Sequence, residues 1–177
     1  ETGADLANDL ERIAMYIGPE NVAACIVEPI AGSTGTLVPP KGYLKRLREI
    51  CDQYGILLIF DEVITGWGRT GKTFGSQSFD VTPDIMTMAK AMTNGVLPMG
   101  AVASSEKIYD TVIKSSPKGA VEFYHGYTYS AIPASVAAAL AMQDILEKEK
   151  LIERAAEMSS YFLDGLFSLK DIDAIVD

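Results

Sequence analysis

The sequence predicts an α/β protein whose mainly parallel sheet is flanked by helices. Segments of helical periodicity alternate along the chain with short apolar runs, and turn residues separate the two kinds of segment. The apolar runs are also nearly continuous, the pattern of strands covered on both faces of a parallel sheet. At 177 residues, without internal repeats or low-complexity tracts, the chain is long enough for one domain with a sizeable core.

Residues 4–17 place Leu6, Leu10, Ile13, Ala14 and Ile17 at helical spacing, and Gly18-Pro19 stops that helix. Val22–Val27 is a short apolar run ending at Glu28-Pro29, suited to a strand buried on both faces. Ala31–Gly35 reads as a loop. Pro39-Pro40 leads into a helix from Lys41 to about Tyr54, capped by Gly55, and the strand 56–63 follows. Residues 64–83, rich in Gly, Ser and Thr, read as a long loop. A weak strand at Ile85–Met88 precedes Lys90; Gly95–Pro98 then turns the chain into a strand at Met99–Ala103. A short helix runs from Glu106 to about Ile113, a loop carries Pro117, Gly119 and His125–Ser130, and two helices cover roughly 133–147 and 150–168. Ala174–Asp177 looks like the beginning of another strand, and the opening at Glu1 without methionine makes both ends look cut.

Composition excludes several function classes. A hydrophobic fraction of 48 % with 22 % charged residues is that of a folded soluble chain, not a disordered one. The net charge of −9 argues against nucleic acid or an anionic membrane surface as the main partner, because both require clustered Lys and Arg. Lys45, Arg46 and Arg48 form one basic spot, expected as the solvated face of a helix. Cys25 and Cys51 sit in apolar elements without metal-ligand spacing, which reads as free thiols in a reducing compartment, the cytoplasm. No stretch reaches the roughly 18 apolar residues of a membrane span, and no metal site is expected.

Chemistry concentrates at strand ends, where parallel sheets gather their ligands. Ile56-Leu57-Leu58-Ile59-Phe60 ends in Asp61, and Lys90 follows 29 residues later among Met86, Met88, Ala89, Ala91 and Met92. Glu28 ends the preceding strand. A lysine held in an apolar setting loses proton affinity and becomes a nucleophilic amine. An acid at a neighbouring strand end holds a positive charge in place. Pyridoxal 5'-phosphate (PLP) needs that pair, a Schiff-base lysine and a carboxylate for its ring nitrogen. A rival motif lies between them: Gly66-Trp67-Gly68-Arg69-Thr70-Gly71-Lys72-Thr73 matches the phosphate-binding pattern G-x-x-x-x-G-K-[ST]. Such a loop needs a helix starting at its Lys-Thr. Pro83 arrives before any amphipathic run develops, so a Gly-rich active-site loop is the preferred reading.

Val27–Gly35, Leu37–Leu44 and Phe60–Gly66 together resemble the class III PLP-dependent aminotransferases. Pro83-Asp84, Lys90, Asn94-Gly95, Pro98–Ala101 and His125–Ser130 continue the likeness over nearly the whole chain. Ala31–Gly35 and Val63-Ile64-Thr65 are most similar to the omega-amino-acid–pyruvate branch of that class. The resemblance implies part of the large domain of the fold-type-I PLP-dependent transferases, with residues 1–177 its central portion and the small domain missing. It implies Lys90 as the residue joined to the cofactor, Asp61 at the ring nitrogen, Val63 against one ring face and Glu28 lining the pocket near Asp61. Thr128 would reach the phosphate of a neighbouring subunit's cofactor, in a homodimer or higher oligomer with shared sites. The implied reaction moves an amino group from an omega-amino acid or related amine to pyruvate or a similar keto acid, by a ping-pong scheme in which the freed lysine is general base. Alternatives are another class III enzyme (a GABA- or ornithine-type aminotransferase, or an aminomutase), a phosphate-loop nucleotide binder, and a non-catalytic remnant. Ala91, Trp67, Ala131 and Ile132 depart from the pattern, which more often has Lys-Gly, Phe and Gly-His-Pro there. The 177-residue chain is expected to be inactive alone.

Overall fold

A computed structural model describes residues 2–172, 174 and 175. The first helix, α1, spans Gly3–Ile17. The Thr2 hydroxyl accepts from the Asp5 N–H at 3.4 Å, and Asp5 Oδ2 accepts from the Thr2 N–H at 2.7 Å. This reciprocal pair satisfies donors that a helix start leaves free. The buried face of α1 is not the expected one: Gly3, Ala7 and Ala14 are buried, while Leu6, Ile13 and Ile17 are exposed. Small residues win because the helix lies close to its neighbours. A Cβ on Gly3 would come within 2.5 Å of the carbonyl oxygens of Pro40 and Lys41.

The strands are β1 (Ala24–Val27), β2 (Leu57–Asp61), β3 (Ile85–Met88) and β4 (Ala101–Ser104), in the spatial order β1-β2-β3-β4. The first three are parallel, with Val27 opposite Phe60 and Asp61 opposite Thr87; β4 returns antiparallel, Ala101 opposite Met88. Helix α2, Tyr43–Tyr54, crosses from β1 to β2 and packs against α1. Its C-cap Gly55 adopts φ 68°, a conformation glycine takes without the steric cost of a Cβ. Leu44, Leu47 and Cys51 of α2 meet Leu58 and Phe60 of β2 and Ala7 and Ala14 of α1 in the core. Each large side chain buried there stabilises the fold by roughly 2 kcal/mol relative to exposure.

Alternation along β2 puts Leu58 and Phe60 into that core and turns Ile59 and Asp61 to the other face. Ile26 is opposite Ile59 and is 60 % exposed, so β1 is an edge strand covered on one face, not buried on both as its apolar run suggests. The stretch 64–83 is not all loop: a five-residue helix, α3, occupies Gly75–Phe79, too short for periodicity to reveal. The remaining helices are α4 (Glu106–Ser115), α5 (Pro133–Lys148) and α6 (Leu151–Phe167). Ala174 and Ile175 form no strand, and Val176 and Asp177 lie outside the described residues.

The basic spot is not a solvated face. Arg46 pairs with Glu11 of α1 at 2.8 Å. Arg48 pairs with Asp52 and Asp84, both at 2.8 Å. Asp84 Oδ2 also accepts the Leu58 N–H at 2.8 Å, which joins the start of β2 to the residue before β3. Lys45 alone of the three is exposed. Both cysteines are free, Cys51 in the core and Cys25 packed against it. The Cys51 thiol donates toward Cys25 and lowers its pKa.

Candidate active site

Parallel strands bring Glu28, Asp61 and the approach to Lys90 to one edge of the sheet. Asp61 closes β2, half-buried, and its Oδ1 accepts the Val63 N–H at 3.0 Å. This turn fixes the carboxylate against its own backbone, while Oδ2 makes no hydrogen bond among the described residues. Beside it in register stands Thr87, whose Oγ1 is buried and unpartnered. Glu28 follows Val27, the partner of Phe60, and so stands next to Asp61. Its Oε2 accepts the Gly32 N–H at 2.9 Å, closing the loop after β1. A Cβ on Gly32 would lie 2.5 Å from Ile64 Cδ1, so that loop rests on the one after β2.

Lys90 stands three residues beyond Thr87 and opens a 3₁₀ turn, Lys90–Met92. Its φ of 44° lies in the left-handed region, a strained conformation for a residue with a long side chain. Buried Met92 and Thr93 anchor the turn, and Thr93 Oγ1 donates to the Leu97 carbonyl at 2.5 Å. The apolar enclosure expected from its neighbours is absent, because Lys90 is exposed. Met86 and Met88, among the neighbours expected to enclose it, are themselves only half-buried.

Glu62 is completely buried. Its Oε2 accepts from Thr65 Oγ1 at 2.5 Å and from Gly75 N–H at 2.7 Å, and its Oε1 accepts from Ser76 N–H at 2.7 Å. These amides begin α3. The helix start that a bound phosphate would require is therefore already filled by the chain's own carboxylate, which removes the physical basis of the phosphate-loop reading. The glycines of that motif serve packing: a Cβ on Gly71 would lie 2.9 Å from Ala156 of α6, and Gly71 itself has φ 75°. Trp67 N–H donates to Thr73 O at 2.6 Å, and its ring meets Phe74 edge-on at 5.4 Å.

Thr128 is not gathered with these residues. It is exposed on the loop between α4 and α5, among the exposed Tyr124, Tyr127 and Tyr129. His125 there packs edge-on against Tyr127, with centroids 4.0 Å apart. Ala131 has φ 54°. A cavity of about 500 Å³ lies between this loop and the segment before β4, lined by Pro98, Gly100, Tyr129, Ala131, Ile132 and Ser135. Ser135 Oγ donates to Pro98 O at 3.0 Å across it.

An acceptor oxygen without a donor, an orphaned hydroxyl beside it and an exposed primary amine past the next strand fit a group with a cationic ring nitrogen and an electrophilic carbonyl carbon. Glu62 is the residue that sequence reasoning passed over, since a second acid after Asp61 carried no separate signal. Its position in an otherwise apolar run was the available clue, because a buried carboxylate needs several donors.

The Aminotransferase class-III family model matches residues 2–177. The omega-aminotransferase of Caulobacter vibrioides is 53 % identical over 177 residues, covering all of this chain and 40 % of that protein. The beta-alanine–pyruvate aminotransferase of Pseudomonas aeruginosa is 53 % identical over 99 % of this chain and 39 % of its own length. The chain thus spans about two fifths of the curated relatives it matches. Among solved structures, the (S)-enantioselective omega-transaminase of Thermomicrobium roseum superimposes with a TM-score of 0.91 at 43 % identity, over 99 % of this chain and 38 % of that one.

Proposed function

The chain belongs to the class-III aminotransferase family, and from that premise we propose that it carries the lysine and acid side of a PLP-dependent transaminase site. The observation that carries this reading is the placement of Asp61 at the carboxyl end of β2 and of Lys90 just past that of its parallel neighbour β3. PLP, when bound, supplies an electron-withdrawing ring that stabilises negative charge on a substrate carbon.

Asp61 Oδ2, which has no donor among the described residues, would accept the ring N–H, and its negative charge would favour the protonated ring. Val63 would pack its branched side chain against one ring face. Lys90 would be the residue that holds the group, through Nζ, and its free amine would be the base that moves a proton at the substrate carbon. Glu28, the residue after β1, would line the pocket near Asp61. Thr128 would donate its hydroxyl to the phosphate bound in a neighbouring copy; its exposure, with that of the tyrosines around it, supports that reading. The donor is an omega-amino acid or related amine and the acceptor pyruvate, as the names of the relatives at 53 % identity suggest. Among the described residues no helix is long and apolar enough to cross a membrane, and the cytoplasm is the proposed compartment.

The test is borohydride reduction of the complete protein loaded with PLP, followed by peptide mass mapping. Modification confined to Lys90 is the expected result. Equal modification of Lys72, Lys107 and other surface lysines would remove the assignment.

A further inference from the structure

The proposed chemistry leaves unused the one acid that, among the described residues, the fold buries completely. Glu62 follows Asp61 directly and is 0 % exposed. Its side chain takes three hydrogen bonds from two separate pieces of the following loop, Thr65 and Gly75-Ser76. Its backbone adds two more: Glu62 N–H donates to Thr87 O at 2.9 Å, and Glu62 O accepts the Gly66 N–H at 2.9 Å. Gly75 has no room for a side chain here, since a Cβ would lie 3.0 Å from Glu62 Oε2. One residue therefore joins β2, β3, the turn 63–66 and the start of α3, directly behind the Asp61 carboxylate and the Val63 amide that holds it.

We propose that Glu62 is a positioning residue for the cofactor: it sets the direction of Asp61 and Val63 by closing the loop onto the strand end. The assignment rests on the PLP reading of Asp61 and deepens it. All three partners are donors, so the site calls for an acceptor-only group. Glutamine is nearly isosteric but cannot satisfy it. Its amide at Oε1 would face the Ser76 N–H, and at Oε2 the Gly75 N–H, leaving one buried backbone donor opposed in either orientation. The loop then shifts, and Val63 N–H and Asp61 shift with it.

The experiment uses the complete protein reconstituted with PLP, in unsubstituted form and as Glu62→Gln, Thr65→Val and Asp61→Asn. Three quantities are measured: the PLP dissociation constant, the pH midpoint of the bound cofactor's visible absorption change, and cooperative melting of the apo form. Glu62→Gln is expected to weaken PLP binding about tenfold and to move the midpoint toward that of Asp61→Asn. Thr65→Val, which removes one donor of three, should do the same to a smaller degree. A Glu62→Gln protein that melts earlier yet keeps the unsubstituted affinity and midpoint would show that Glu62 supports only the fold. Should Glu62→Gln fail to fold, Thr65→Val decides on the same two readings: a shifted midpoint supports the proposal, an unshifted one overturns it. Failure of the unsubstituted protein to load PLP would remove the cofactor reading itself, a result distinct from the other two.

Discussion

The carboxyl end of β2 and the loop between α4 and α5 both carry residues of the proposed site, and they are built in opposite ways. At the first, Asp61, Glu62, Thr65, Gly75 and Ser76 are locked by short hydrogen bonds within the chain, and Glu62 is out of reach of water. At the second, Tyr124 is 94 % exposed and the exposed Thr128 side chain makes no hydrogen bond among the described residues. The contrast teaches that one region is preorganised by the fold itself, whereas the other presents aromatic and hydroxyl groups outward.

Four measurements break or sharpen that contrast. Lys90→Ala should reduce transamination by the complete protein by at least about 10³-fold while leaving its melting temperature nearly unchanged, because the side chain is exposed and strain at φ 44° is not relieved by a shorter one. Amide exchange should be at least about 100-fold slower at Gly75 and Ser76 than at residues 122–129; similar rates would dissolve the distinction between the two regions. Asp84→Ala removes an acceptor shared by Arg48 and the Leu58 N–H and should cost about 2–3 kcal/mol in urea unfolding. Thr128→Ala should raise the PLP dissociation constant several-fold, about 1 kcal/mol, without a change in stability. A large loss of stability would mean instead that the loop is part of the core.

Much of the preorganised half was legible in the sequence. The apolar run before Asp61 signals a central strand because burial on a parallel sheet demands it, and Lys90 stands out because a lysine among methionines needs a chemical reason. The rest was hidden where tertiary contacts override local pattern. The buried face of α1 follows Gly3, Ala7 and Ala14, whose virtue is smallness, not hydrophobicity, and only the proximity of Pro40 and Lys41 reveals that. Arg46 and Arg48 read as solvated because their acceptors, Glu11 and Asp84, are distant in sequence. Lys90 is exposed and takes a left-handed backbone conformation, and no side-chain pattern announces either. The exposure of Ile26 reflects its place on an edge strand, which the run Val22–Val27 does not disclose.

The Asp84 carboxylate stands before β3, at the opposite end of the sheet from Asp61. By accepting from Leu58 N–H it pins where β2 begins relative to β3. A slip of one residue would carry Asp61 from its own face to the one where Phe60 now meets α1 and α2, so this distant contact acts as an alignment key for the reactive edge. Anyone transplanting the Asp61–Lys90 pair onto another parallel sheet would have to carry Asp84 and Arg48 along with it, or find another means of indexing the two strands.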